Sequence, residues 1–113
     1  MGFAEALQDE EEVTIAFDKK DGNRRAIPIW FTLNGNVLEL LPMYGLKTKW
    51  FQDVQSSGDF EVKVKQESMT VSPRMVREPK KVDEIKKRFG VKYGNGDVER
   101  YYPTSEIALE VSL

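Results

Sequence analysis

The 113-residue chain contains no histidine and no cysteine. Without cysteine there is no disulfide, no thiolate zinc site and no redox thiol. Without histidine there is no Ser-His-Asp or Cys-His catalysis and no histidine metal site. The side chain that most readily moves protons near neutral pH is also missing. An enzyme with this composition draws its difficult chemistry from a bound cofactor or works with Asp, Glu, Lys or Tyr alone. Long apolar runs are missing too: nothing approaches the roughly 18 residues that a membrane span needs. The N-terminus, MGFAEALQDEEE, is acidic and lacks the basic and apolar regions of a signal peptide, so a cytoplasmic location is expected. There is no excess of basic charge: 17 Lys and Arg stand against 19 Asp and Glu, a net charge of −2. That balance counts against a general nucleic-acid binder without excluding a local basic patch. No repeat, low-complexity stretch or linker interrupts the chain, and its length suits one domain, 1–113.

What is present is mostly alternation. The first nine residues suit a short helix with Phe3, Ala6 and Leu7 on one side. The acidic run Asp9 to Glu12 that follows reads as solvated surface rather than a cation site. Val13, Ile15 and Phe17 share one face of a strand, and DKKDGN is a hairpin signal. RRAIPIWFTL reads as one continuous strand, with Ile27, Ile29, Phe31 and Leu33 opposite Ala26, Pro28, Trp30 and Thr32. NGN at 34–36 turns it into VLELL, so the first three strands form a meander. A short helix ending near Gly58 leads to FEVKVK, then to SMTVSPRMV, a strand interrupted at Pro73. PKKVDEIKKRFG carries Pro79 at a helix start and Gly90 just past its end, with Val82, Ile85 and Phe89 as its apolar stripe. KYGNGDVERYYP is a loop or a second helix, and IALEVSL closes the chain as a strand. Six or so one-faced strands joined by tight turns suggest an antiparallel barrel.

One stretch breaks a local rule. MYGLKTKWFQDVQ, 43–55, opens a helix with Thr48 as N-cap and Trp50, Phe51 and Val54 as its apolar side. Lys47 and Lys49 stand at a helix start, where the backbone already carries partial positive charge. Either these are exposed lysines that cost a few tenths to about 1 kcal/mol, or a bound phosphate or carboxylate compensates them. The helix 79–89 orders its charges conventionally, acids early and bases late, which sharpens the contrast. Arg24 and Arg25 follow the first turn, and arginine can hold a phosphate through two parallel hydrogen bonds. Pro28 implies an edge or a bulge, a place where a planar ligand can meet unpaired backbone. Trp30 beside it either stacks on such a ligand or packs in a core or interface. The glycines of GVKYGNGD do not make a dinucleotide fingerprint. Tyr93, Tyr101 and Tyr102 are candidates to line a pocket or donate protons, or to pack at a subunit contact.

Residues 24–65 resemble the split β-barrel flavin and deazaflavin oxidoreductases, a superfamily that includes the pyridoxamine-phosphate-oxidase-like proteins. The resemblance lies in the order Arg25, Pro28, Trp30, Gly45, Lys47, Thr48, Trp50, followed by the strand 60–65. Family members often continue the helix with Asn-Leu and then Asn-Pro, where this chain has Asp53-Val54 and Ser57-Gly58-Asp59. The resemblance implies a mainly β fold: a six-stranded antiparallel split barrel of Greek-key type with two or three short helices. It implies a homodimer with FMN or a deazaflavin coenzyme between the subunits. By resemblance Lys47, Thr48 and Lys49, with Arg25, hold the cofactor's phosphate. The strand through Ala26, Ile27, Pro28 and Trp30 lies along the ring, next to Trp50. The implied activity is hydride transfer to a small organic acceptor, as in nitroreductases and quinone reductases, with neither nucleic acid nor membrane as partner. Two alternatives stand beside it: a cofactor carrier or sensor without turnover, and a small barrel binding single-stranded nucleic acid through Trp30, Trp50 and the basic loops.

Overall fold

Alternation along β1 (Glu12–Asp18) and β2 (Arg24–Trp30) builds the first hairpin, in which Ile15 faces Ile27 and Asp18 faces Arg24. The computed structural model describes residues 3–103 and 106–113; of the helix expected over the first nine residues, positions 1 and 2 lie outside the described residues. Within that range Phe3–Leu7 is helical, α1, with Ala6 and Leu7 buried. The hairpin joins β5 (Phe60–Val64) and β6 (Glu67–Val71) in an antiparallel sheet of order β2-β1-β5-β6. A second antiparallel sheet holds β3 (Thr32–Asn34), β4 (Val37–Leu40), β7 (Arg74–Val76) and β8 (Ala108–Ser112), in the order β3-β4-β8-β7.

Eight strands therefore replace the expected six, because two of the expected runs break and cross between sheets. The expected continuous strand 24–33 stops at Phe31. Its backbone N–H donates to Tyr93 Oη (3.0 Å) and its carbonyl accepts from Lys92 Nζ (3.0 Å), so neither group is given to a ladder there. The expected meander is split by the same bend: β1 pairs with β2 and β5, while β4 pairs with β3 and β8. The second break falls at Ser72 and Pro73, between β6 and β7. The sheets meet at these two corners, and no closed barrel forms among the described residues.

Between the sheets lies the main core. Val13, Ile15 and Phe17 of β1 and Val62 of β5 face Leu38 and Leu40 of β4 and Leu109 and Val111 of β8. Trp50, Phe51 and Val54 of α2 (Lys49–Ser57) belong to the same core. A second apolar cluster joins Val82, Ile85 and Phe89 of α3 (Pro79–Tyr93) and Val98 of α4 (Asn95–Tyr101) to Leu41, Val76, Tyr102 and Ala108. The helix set departs from two or three short ones: four helices and a 3-10 turn at Gly45–Lys47 are present among the described residues. Gly90 does not end α3. It lies buried inside the helix, where a Cβ would overlap Asn95 Oδ1 at the start of α4, and Gly94 at φ +97° makes the stop instead. Among the described residues no helix is long and apolar enough to cross a membrane.

Candidate functional site

Pro28 lies in β2 at the edge of its sheet, as its missing N–H requires. Pro28, Ile29 and Trp30 form one wall of a cavity of about 230 Å³. Leu41, Met43 and Trp50 form another, and Tyr101, Tyr102 and Glu12 complete the lining. Trp30 does not stand free. Its indole stacks on Tyr93 (centroids 4.1 Å apart, planes within 6°) and meets Tyr101 edge-on at 5.6 Å. Trp50 is buried, so neither tryptophan presents an open platform for stacking bases.

The last turns of α3 hold this wall in place. Tyr93 Oη accepts from the Phe31 N–H and lies 2.7 Å from the Glu11 carbonyl and 2.9 Å from the Phe31 carbonyl, donating to one of them. Burial pushes the Tyr93 phenol up to about 12, so it stays an O–H donor. Lys92 sits 3.5 Å over the Phe31 ring, and burial lowers its pKa. One turn earlier Arg88 pairs with Glu39 through two hydrogen bonds, Nε donating to Oε1 at 2.7 Å. Thr32 Oγ1 donates to the same oxygen at 2.7 Å, and Glu39 is fully buried. The hydrogen bond to Glu39 raises the Arg88 pKa further above its ordinary value. Burial also drives the Tyr102 phenol upward, which keeps a protonated hydroxyl on a cavity-lining side chain.

The loop between Met43 and Trp50, both of which line the cavity, carries Lys47, Thr48 and Lys49. Thr48 occupies the cap position of α2, but its hydroxyl accepts from the Tyr44 N–H at 2.8 Å and does not cap the helix. Among the described residues no side chain caps the first turn of α2. Lys47 and Lys49 are exposed and form no ion pair among the described residues. Arg25 and Ala26 are exposed at the hairpin end of β2, and Ile27 packs against the main core. Of the residues singled out in the sequence, Pro28, Trp30, Trp50, Tyr101 and Tyr102 thus meet at the cavity. Arg25, Ala26, Ile27, Lys47, Thr48 and Lys49 are not in its lining. Sequence reasoning missed Glu12, Ile29, Leu41 and Met43, and it missed the buried Asp53, whose Oδ1 accepts from the Lys20 N–H while Oδ2 has no partner among the described residues. Asp53 had a signal: it falls three residues after Trp50, on the apolar stripe of α2.

Residues 4–108 match a family described as "Uncharacterized protein conserved in bacteria (DUF2255)". The chain belongs to that family. No curated protein matches it. Among solved structures it resembles an F420-H2 dependent reductase, at 13% identity and TM-score 0.69, over 91% of this chain and 95% of the other. A pyridoxinephosphate oxidase family protein from Clostridium acetobutylicum, related to general stress protein 26 of B. subtilis, matches at 10% identity and TM-score 0.64, over 96% of this chain and 79% of that one. An FAD-binding protein from Mesorhizobium loti matches at 14% identity and TM-score 0.61, over 97% and 84%. The fold is thus that of the split-barrel superfamily of F420-dependent reductases and pyridoxamine-phosphate-oxidase-like flavin proteins, as the sequence resemblance implies.

Proposed function

We propose that this family member, as one split-barrel domain over 1–113, binds a phosphate-bearing flavin or deazaflavin coenzyme and passes hydride between it and a small organic acceptor. One observation carries the proposal: two lysines with no ion pair among the described residues flank the start of α2, which no side chain among them caps, on a loop whose ends line an aromatic cavity. Free helix N–H groups and ammonium groups together favour a phosphate. In this arrangement Lys47, Thr48 and Lys49 hold the phosphate, with Arg25 as a further cation. The edge strand Ala26–Trp30 orients the ring, and the cavity beside Pro28 and Trp30 excludes water from the acceptor. When bound, the coenzyme supplies the hydride chemistry that a chain without His and Cys cannot. The Tyr102 hydroxyl lines the cavity, and burial keeps it protonated, so it serves as a hydrogen-bond donor to the acceptor. The cavity's 230 Å³ lies below the roughly 300–1,000 Å³ of whole small-molecule sites, which favours a homodimer in which the partner completes the site.

The test is a titration of the purified protein with FMN and with a deazaflavin coenzyme, followed by visible absorption. At least one is expected to bind, and Lys47→Glu combined with Lys49→Glu is expected to abolish binding while the fold persists. Dissociation constants no better than about millimolar for both, about −4 kcal/mol, would overturn the proposal.

A further inference from the structure

We propose that Asp53 is a specificity-determining residue. Its buried carboxylate turns the anion site at the start of α2 towards a phosphodiester, which carries one negative charge, and away from a phosphomonoester, which carries two. This deepens the preceding proposal and rests on its phosphate reading. Asp53 is 4% exposed. Its Oδ1 accepts from the Lys20 N–H at 3.2 Å. Oδ2 is buried with no hydrogen-bond partner, and the carboxylate has no ion pair among the described residues. Asparagine would make the same bond to the Lys20 N–H with no charge to bury. A buried charge without a counter-charge is strongly unfavourable, so the charge itself calls for a reason.

The structural reasons fit less well. An acidic side chain supports a helix start only within the first turn, and Asp53 is the fifth residue of α2. Among the described residues no group of three His, Cys, Asp or Glu could hold a metal ion. Lys49 precedes Asp53 by four residues, a spacing that can pair opposite charges on a helix. Lys49 is exposed, however, and the two form no ion pair. What remains is action at a distance. Four residues rise about 6 Å along a helix, and helical side chains lean towards its N-terminus. The carboxylate therefore leans towards the free N–H groups of the first turn and towards Lys47 and Lys49. Exposed charges are screened over about 10 Å at 0.1 M salt, and buried ones much less. The repulsion from Asp53 acts once on a diester and twice on a monoester. FMN ends in a monoester, so the favoured coenzyme is one whose phosphate continues into a second ester.

The probes are dimethyl phosphate and methyl phosphate at pH 8, where a monoester with a second pKa of about 6 is doubly charged. Each is titrated into cofactor-free, nitrogen-15-labelled protein and read at the amide signals of residues 47–50. In the wild-type chain dimethyl phosphate is expected to bind at least as tightly as methyl phosphate. Asp53→Asn keeps an acceptor for the Lys20 N–H and removes the charge. A gain of about threefold for dimethyl phosphate should then come with about ninefold for methyl phosphate, because the lost repulsion counts twice. A purely structural role would change both affinities by one factor. Equal gains, no gain, or a wild-type chain that binds methyl phosphate more tightly would overturn this inference and leave the phosphate site standing. The wild-type comparison decides the matter even should the variant not fold. Amide signals that respond to neither ion would overturn both readings together.

Discussion

Two stretches of this chain treat their cations in opposite ways. Along the second half of α3, Arg88 is matched to the buried carboxylate of Glu39, and Lys92 to the face and carbonyl of Phe31. At the start of α2, Lys47 and Lys49 have no partner among the described residues, and the helix beneath them has no side-chain cap. The first set spends its charge inside the fold. The second leaves it available to a ligand. The difference separates a bracket that holds the aromatic wall from a site that the wall serves. Substitutions at the two places should therefore pull stability and binding apart.

The largest effect is expected at the bracket. Arg88→Ala leaves Glu39 buried with Thr32 Oγ1 as its one side-chain donor among the described residues. Removing one partner of a buried pair destabilises by about 3–5 kcal/mol, which a urea midpoint at unchanged slope would report. A loss within about 0.5 kcal/mol, typical of ordinary surface substitutions, would show that α3 is held by its apolar stripe alone. The contrast with α2 would then collapse.

A smaller loss is expected at the end of the same helix. Tyr93→Phe keeps the stack on Trp30 but leaves the Phe31 N–H and the Glu11 carbonyl without their shared hydroxyl. The Phe31 end is part-buried and the Glu11 end is exposed, so the expected loss is about 1 kcal/mol. The pH dependence has a definite sign. The folded phenol titrates at about 12, above its ordinary value of 10.0, so it holds its proton more tightly than the unfolded chain does. Its stabilising contribution is complete below pH 10 and is lost as the pH rises towards 12. Tyr102 is shifted in the same direction, so Tyr93→Phe should flatten the alkaline fall in melting temperature without removing it. An identical alkaline profile in the variant would show that Tyr93 is not buried in solution as described.

How much of this was legible depended on whether the controlling contact was local. The alternation of β1, β5 and β8 and the Pro79 start of α3 are local, and they read correctly. The bend at Phe31 is not. Hydrophobic alternation runs unbroken through it to Leu33, while the groups that take its backbone come from 61 and 62 positions away. Gly90 failed for the same reason. Gly after a charged last turn is a good stop signal, and the contact with Asn95 that explains it belongs to helix packing. The candidate site divided along the same line. Pro28, Trp30, Trp50, Tyr101 and Tyr102 stand out by residue type and were picked out, whereas Glu12, Ile29, Leu41 and Met43 break no local rule and become neighbours only when β1, β2 and the loop after β4 converge. The lysines were legible because they violate a rule that the rest of the chain obeys.

That violation gives the smallest and sharpest prediction. If Lys47 and Lys49 are kept for a ligand, they oppose the helix dipole of the free protein and add nothing to its stability. Replacing both with glutamate should then raise the stability of the cofactor-free protein by about 0.3–1 kcal/mol per site at low salt, an upward shift in melting temperature. The gain should fade as salt screens it. The same variant should lose the phosphate-bearing coenzyme. A protein that becomes more stable as it loses its ligand has charges selected for binding. A fall in stability would instead show that the two ammonium groups serve the fold, as Arg88 does, and the distinction between the two helices would no longer point to a site.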